Sequence, residues 1–277
     1  MRIARTLSDL RAATAALRSA RGAIALVPTM GALHDGHRAL VQAGLASGAA
    51  VVTSIFVNPS QFAATEDLSR YPRDEAGDLA ILEAAGCALV WMPDVATMYP
   101  PDDATAITVS GLAEHWEGAA RPGHFRGVAT VCAKLFGQTQ ADRAYFGEKD
   151  WQQLQVIRRV ARDLHLPVDI VPVETVRETD GLALSSRNRF LTPEERARAP
   201  LLHAVLRETG AALAGGREAA APLRAARERL AAAGFGVDYH ALVDGPSLAE
   251  IPCAAPGARL IAAARLGTVR LLDNIAV

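Results

Sequence analysis

Short apolar runs that each end in a polar loop, and then in a helix, recur along residues 1–175, and this rhythm leaves few folds open. The run Ile24-Ala25-Leu26-Val27 is bounded by Gly22 and Pro28 and reads as a buried strand. Residues 50–57 are nearly continuous and β-branched, as expected of a strand covered on both faces. Residues 88–92 end at Pro93, and residues 143–146 and 168–173 give two more strands. A three-residue strand is expected at 107–109. Apolar residues at helical spacing fill 8–20, 36–47, 74–85, 128–136 and 151–164, the last with Asp150 placed to cap it. Strand–loop–helix units of this kind predict an α/β fold with a Rossmann-like, doubly wound parallel sheet. Beyond residue 175 the order changes. Thr192-Pro193-Glu194-Glu195 is a capping box that opens helices over about 193–213 and 218–232, broken by Gly215-Gly216. Strands follow at 237–243, 259–264 and 269–275, the last two joined by a tight Gly267-Thr268 turn. The prediction is therefore two domains, 1–175 and a smaller α+β domain over 176–277.

Composition narrows the function. The 277 residues carry a net charge of −1, half are hydrophobic and about a fifth charged, which gives a globular chain with no electrostatic case for nucleic acid or an anionic membrane. Met1 to Arg5 leads into a polar amphipathic helix rather than a signal peptide, and no apolar run reaches membrane-spanning length. Cys87, Cys132 and Cys253 are far apart with no zinc spacing, and no metal ligand is assigned to any side chain. They read as reduced residues of a cytoplasmic protein.

The loop after the first of these apolar runs concentrates the chemistry. It runs Val27-Pro28-Thr29-Met30-Gly31-Ala32-Leu33-His34-Asp35-Gly36-His37 and joins the carboxyl end of a strand to the N-terminus of a helix. Ligands of open α/β sheets bind at such strand ends, and the N–H groups of a helix start suit a phosphate. Two imidazoles three residues apart can face one ligand, and Gly36 lets it approach the backbone. The His-x-Gly-His pattern resembles the signature of class I aminoacyl-tRNA synthetases and related nucleotidylyltransferases, which attack the α-phosphate of ATP. No Gly-x-x-x-x-Gly-Lys-[Ser/Thr] loop occurs.

Further polar segments stand at strand ends, at 58–62, 121–127 and 147–153, and another at the domain junction over 180–188. Six collinear stretches together carry a more specific resemblance: the loop above, Ser54-Ile55-Phe56-Val57-Asn58-Pro59, Tyr71-Pro72-Arg73, Arg121-Pro122-Gly123-His124-Phe125, Tyr145-Phe146-Gly147-Glu148-Lys149-Asp150-Trp151-Gln152-Gln153, and Asp180-Gly181-Leu182-Ala183-Leu184-Ser185-Ser186-Arg187-Asn188. Over nearly its whole length the chain resembles the pantoate–β-alanine ligases, the pantothenate synthetase family. Asp35, Arg38, Ser60 and Leu184 depart from that family's usual residues, and none removes a group the chemistry needs.

The resemblance implies an ATP-dependent ligase of coenzyme A biosynthesis, working through a pantoyl adenylate with Mg²⁺ on the nucleotide phosphates, usually as a homodimer. It implies that Met30, Gly31, Ala32, Leu33, His34, Asp35, Gly36 and His37 form an ATP loop, with His37 the proton donor. Asn58, Gln61 and Gln153 would bind pantoate, and Gln61 also β-alanine. Gly147, Glu148, Lys149 and Asp150 would form a second ATP segment, with Lys149 on phosphate, and Val176 would meet adenine through its backbone. Leu184, Ser185, Ser186 and Arg187 would form a mobile loop over the triphosphate, on a small domain acting as a lid. Two other functions share the histidine loop alone: a nucleotidylyltransferase that leaves AMP on its product, and a nucleotide-binding regulatory module. Neither explains both the Asn58–Gln61 and Gln153 amides and the Ser-Ser-Arg loop.

Overall fold

The computed structural model describes residues 1–62 and 71–277. The chain divides into two compact units, one of residues 1–147 and 153–174 and the other of residues 148–152 and 175–277. Residues 148–152, which the sequence reading keeps with the first domain, group with the second.

In the first unit, strands β1 (Arg2–Ala4), β2 (Ile24–Thr29), β3 (Ala50–Ile55), β4 (Leu89–Trp91), β5 (Arg143–Gly147) and β6 (Asp169–Val173) form one sheet in the order β1-β4-β3-β2-β5-β6. Every pairing in it is parallel. The order reverses between β2 and β5, so the topological switch point lies where Thr29 and Gly147 end their strands. The helices are α1 (Leu7–Arg21), α2 (Asp35–Ala46), α3 (Glu75–Ala85), the short α4 (Val95–Met98) and α5 (Glu117–Ala120), α6 (His124–Thr139) and α7 (Trp151–Asp163). One core joins α2 and α3 to the sheet through Leu40, Val41 and Leu82 against Ala25, Val27, Val51 and Val90, all buried.

Four local expectations change. Strand β1 was not expected: three residues are too few to show alternation, and it is held as a parallel edge against β4. No strand forms at 107–109; the Ile107 N–H donates to Thr130 Oγ1 of α6 at 3.0 Å instead of to a sheet. Helix α6 begins at His124, inside the segment read as a loop. Strand β2 runs on through Pro28, which is tolerated because the β2–β5 ladder ends at Leu26 and no partner N–H is missed there.

In the second unit, α8 (Pro193–Arg198), α9 (Leu201–Leu213) and α10 (Ala220–Ala232) precede an antiparallel sheet, β7 (Phe235–Asp244), β8 (Ala258–Leu266) and β9 (Val269–Ala276), with β8 central. Thr192 caps α8 in the expected capping box. The single helix expected over 193–213 is two, because Pro200 has no N–H to continue the ladder of α8 and stands instead at the start of α9. Leu206, Leu213 and Leu230 pack with Leu242, Leu260 and Ala262 in the core of this unit.

Candidate active site

The loop after β2 turns on two successive positive-φ residues, Gly31 at +80° and Ala32 at +52°. That bend aims the N–H groups of Ala32 and Leu33 at one carboxylate: Asp78 accepts them at 2.9 and 2.7 Å, and its side chain is buried. The sequence reading missed Asp78. It shares a face of α3 with Leu82 and Ala85, and a carboxylate on an apolar helical stripe was the signal available.

His34 then caps α2. Its Nδ1 accepts the Gly36 N–H at 3.1 Å, while Nδ1 of His37 accepts the His34 N–H at 3.3 Å. The two rings form a reciprocal cap, their centroids 4.2 Å apart and tilted by 49°. Each Nδ1 is thus an acceptor, so a neutral ring carries its proton on Nε2. Asp35 and Arg38 are exposed and pair with each other at 2.8 Å, so the unusual Arg38 charge is offset at the helix start.

At the end of β3, Asn58 caps the turn Pro59–Gln61. The Asn58 Oδ1 accepts the Ser60 N–H at 3.2 Å and lies 2.8 Å from the Tyr99 hydroxyl, which fixes the amide so that Nδ2 donates to Gln61 Oε1 at 3.0 Å. The Gln61 Nε2 is therefore the donor end, 3.2 Å from Met30 Sδ. His124 donates from Nδ1 to the Gln61 carbonyl at 2.9 Å. Gly127 allows α6 to lie directly on this turn, since a Cβ there would overlap the Ser60 carbonyl. Met30, Gly31, Ala32, Leu33, His34, Gly36, His37, Asn58 and Gln61 are thus gathered at the carboxyl ends of two adjacent strands of the first unit. Gln153 stands half-buried in the first turn of α7, and Gly147 closes β5.

The second unit holds the remaining residues. Glu148, Lys149 and Asp150 form a 3₁₀ turn, with Lys149 Nζ 3.8 Å from Asp150. The Val176 carbonyl accepts the Leu184 N–H at 3.0 Å and the Glu178 N–H donates to Leu182, so 176–184 is a hairpin. Arg196 forks onto Glu178 and Asp180, each at 2.6 Å. The Arg196 guanidinium holds the Asp180 carboxyl below the usual carboxylate range. Ser185 then caps the turn Ser186–Phe190 by accepting the Arg187 N–H at 3.3 Å, and Arg187 is exposed. Tyr99, Arg177, Asp273 and Asn274 join Asp78 among the residues that sequence reasoning did not single out, and His124 enters it only within its stretch, with no role.

Set beside known proteins, the chain matches a family model described as pantoate-beta-alanine ligase over residues 2–276. It is 62% identical to a pantothenate synthetase of Acidiphilium cryptum over the full length of both chains, and 60% identical to that of Granulibacter bethesdensis, covering 99% of this chain and 96% of the other. A pantothenate synthetase structure from Thermus thermophilus superposes with a TM-score of 0.93 at 49% identity, covering 99% of each chain. One from Francisella tularensis, complexed with β,γ-ATP and β-alanine, superposes with a TM-score of 0.84 at 30% identity over 100% of this chain and 97% of that one. The chain belongs to the pantoate–β-alanine ligase family.

Proposed function

We propose that this ligase joins pantoate to β-alanine in two steps on one ATP. The pantoate carboxylate attacks the α-phosphorus, pyrophosphate leaves and pantoyl adenylate forms; the β-alanine amine then attacks the acyl carbon and AMP leaves. A carboxylate is a poor acyl donor, and adenylation supplies the leaving group. The observation that carries this reading is the reciprocal His34–His37 cap at the N-terminus of α2, beside the switch point of the sheet. Two Nε2–H donors at a helix start suit the negative charge that grows on phosphoryl oxygens during such an attack.

In this reading Met30, Gly31, Ala32, Leu33, Asp35 and Gly36 line the nucleotide beside the two histidines, and His37 donates its proton to the departing phosphate. Gln61, whose Oε1 is held by Asn58 so that its N–H end lies beside Met30, suits the acceptor-rich carboxylate and hydroxyls of pantoate and later the β-alanine carboxylate; Gln153 supplies a second amide. Gly147, Glu148, Lys149 and Asp150 form the second nucleotide segment, with Lys149 on phosphate. Val176 contacts adenine through its backbone, and Leu184, Ser185, Ser186 and Arg187 bind the triphosphate. Mg²⁺ supplies charge neutralisation when bound with the nucleotide. Among the described residues no group of three or more His, Cys, Asp and Glu side chains that could hold a metal ion occurs. We place the enzyme in the cytoplasm as a homodimer; its three free cysteines fit a reducing compartment. Among the described residues no helix is long and apolar enough to cross a membrane.

The test is a stepwise assay. ATP and pantoate alone are expected to release pyrophosphate in an amount close to the enzyme present, and β-alanine then to release AMP. Pyrophosphate that appears only when β-alanine is present would overturn the adenylate order.

A further inference from the structure

Two adjacent residues of the last strand, Asp273 and Asn274, each fasten a different segment of the second unit. Both are buried although they follow one another in β9. Asn274 Oδ1 faces the Arg259 guanidinium, which only donates, so the amide orientation is settled. Its Nδ2 then donates to the carbonyls of Glu148 and Lys149 at 2.9 and 2.8 Å. Arg259 adds a bond to the Glu148 carboxylate at 3.0 Å and lies 3.4 Å over the Trp151 ring, whose Nε1–H donates to the Gly245 carbonyl at 2.7 Å.

Asp273 acts on the other segment. It accepts a bidentate pair from Arg177, at 2.7 and 2.9 Å, and His203 Nδ1 stands 3.4 Å away. Arg177 also donates to the Gly181 carbonyl at 3.1 Å, across the hairpin that leads from Val176 to Ser185. Burial opposes ionisation of Asp273, but His203 and Arg177 outweigh it and hold the carboxyl below its usual range.

We infer that Asp273 and Asn274 are positioning residues of the nucleotide half-reaction, Asn274 setting the backbone from which Lys149 projects and Asp273 setting the hairpin that presents Ser185 to Arg187. The inference rests on the reading of Lys149 and Arg187 as phosphate-binding groups. Neither β9 residue need touch a ligand. Each is a buried hydrogen-bonding hub that ties β9 to a distant segment, Asp273 to Arg177 across 96 residues and Asn274 to Glu148 and Lys149 across 126 and 125, and neither tie is needed to form β9, whose ladder is made by the backbone.

The experiment uses Asn274→Asp and Asp273→Asn, both nearly isosteric, with Lys149→Ala alongside. Asn274→Asp keeps a partner for Arg259 but turns an oxygen toward two carbonyls, so both donations are lost. The KM for ATP in pyrophosphate release is expected to rise roughly tenfold in each β9 variant, while the KM for pantoate, bound by first-unit amides, moves less than about twofold. Melting within a few degrees of the parent accompanies that split. A variant folded as well as the parent with an unchanged KM for ATP overturns the inference, as does an equal loss for ATP and pantoate. Lys149→Ala separates the two levels: if it loses adenylation while the β9 variants do not, the phosphate reading survives and the positioning role fails. If Lys149→Ala adenylates normally, the phosphate reading itself fails. Should Asn274→Asp not fold, Asn274→Ala carries the same expectation.

Discussion

Asp78 Oδ2 stands 2.8 Å from where a Cβ on Gly31 would lie, so the loop after β2 and helix α3 are fitted to each other at a glycine. Gly31 also holds a φ of +80°, which a side chain disfavours. The same carboxylate takes the N–H groups of Ala32 and Leu33, both buried. Asp78→Ala strands two buried donors at a cost of about 1–3 kcal/mol each. We expect the melting temperature to fall and the KM for ATP to rise, with Gly31→Ala giving the same ATP defect. Thermal melts and pyrophosphate assays measure both. An Asp78→Ala enzyme with parental ATP dependence would show that the loop keeps its bend without the carboxylate.

His37→Ala removes the ring proposed to act in adenylation and also one half of the reciprocal cap. The cap bond it loses is to a half-buried N–H, at about 0.5–1.5 kcal/mol, so the fold should hold. Adenylation should drop roughly a hundredfold or more, the scale of one acid–base or charge-stabilising group. Near-normal pyrophosphate release from a folded variant would remove His37 from the reaction.

These two sites differ in how visible they were. The His34–His37 loop was legible because the apolar run before it, Pro28 and Gly31, and the helical spacing after it are all local signals. Histidine as a helix cap was not, since serine, threonine, aspartate and asparagine are the usual caps. The parallel sheet followed from buried apolar runs, whereas the strand expected at 107–109 rested on three residues with no sight of a partner. Proline alone marks the break at Pro200, while the apolar spacing that continues on both sides of it favours one helix. Asp78 is marked locally, as a carboxylate on an apolar stripe, but it and Asn274 act on backbone groups 45 and 125 residues away, and no local pattern names those partners.

The Ser-Ser-Arg loop has one half already bonded. The N–H groups of Glu178, Gly181 and Leu184 have backbone partners, and Arg177 and Arg196 add side-chain ties. Beyond it, Ser185 caps one 3₁₀ turn, Ser186–Phe190, with Arg187 exposed. We expect ATP to slow hydrogen exchange at 185–190 and to change 177–184 little. Arg187→Ala should erase most of that difference and lower adenylation. Equal exchange with and without ATP, together with an active Arg187→Ala enzyme, would leave this turn outside the nucleotide site.

His240 sets an acid limit on the second unit. Its ring lies fully buried in β7 and neither ring nitrogen has a hydrogen-bond partner among the described residues, while its carbonyl accepts two bonds from Arg227. Burial, and then the Arg227 charge, lower its pKa from 6.5 to about 4; the Leu223 backbone pulls the other way without meeting hydrogen-bond geometry. The sign follows from proton binding. Between these values the unfolded chain takes up a proton that the native ring refuses, so stability is full above the unfolded value and is lost as pH falls from 6.5 toward 4. The loss amounts to about 3 kcal/mol across that window. His240→Leu has nothing to protonate and fills a similar volume. Urea unfolding followed at several pH values should therefore show a shallower decline for His240→Leu than for the parent in this range, with the two closest in slope above pH 7. Identical slopes in both proteins would assign the acid sensitivity to other groups.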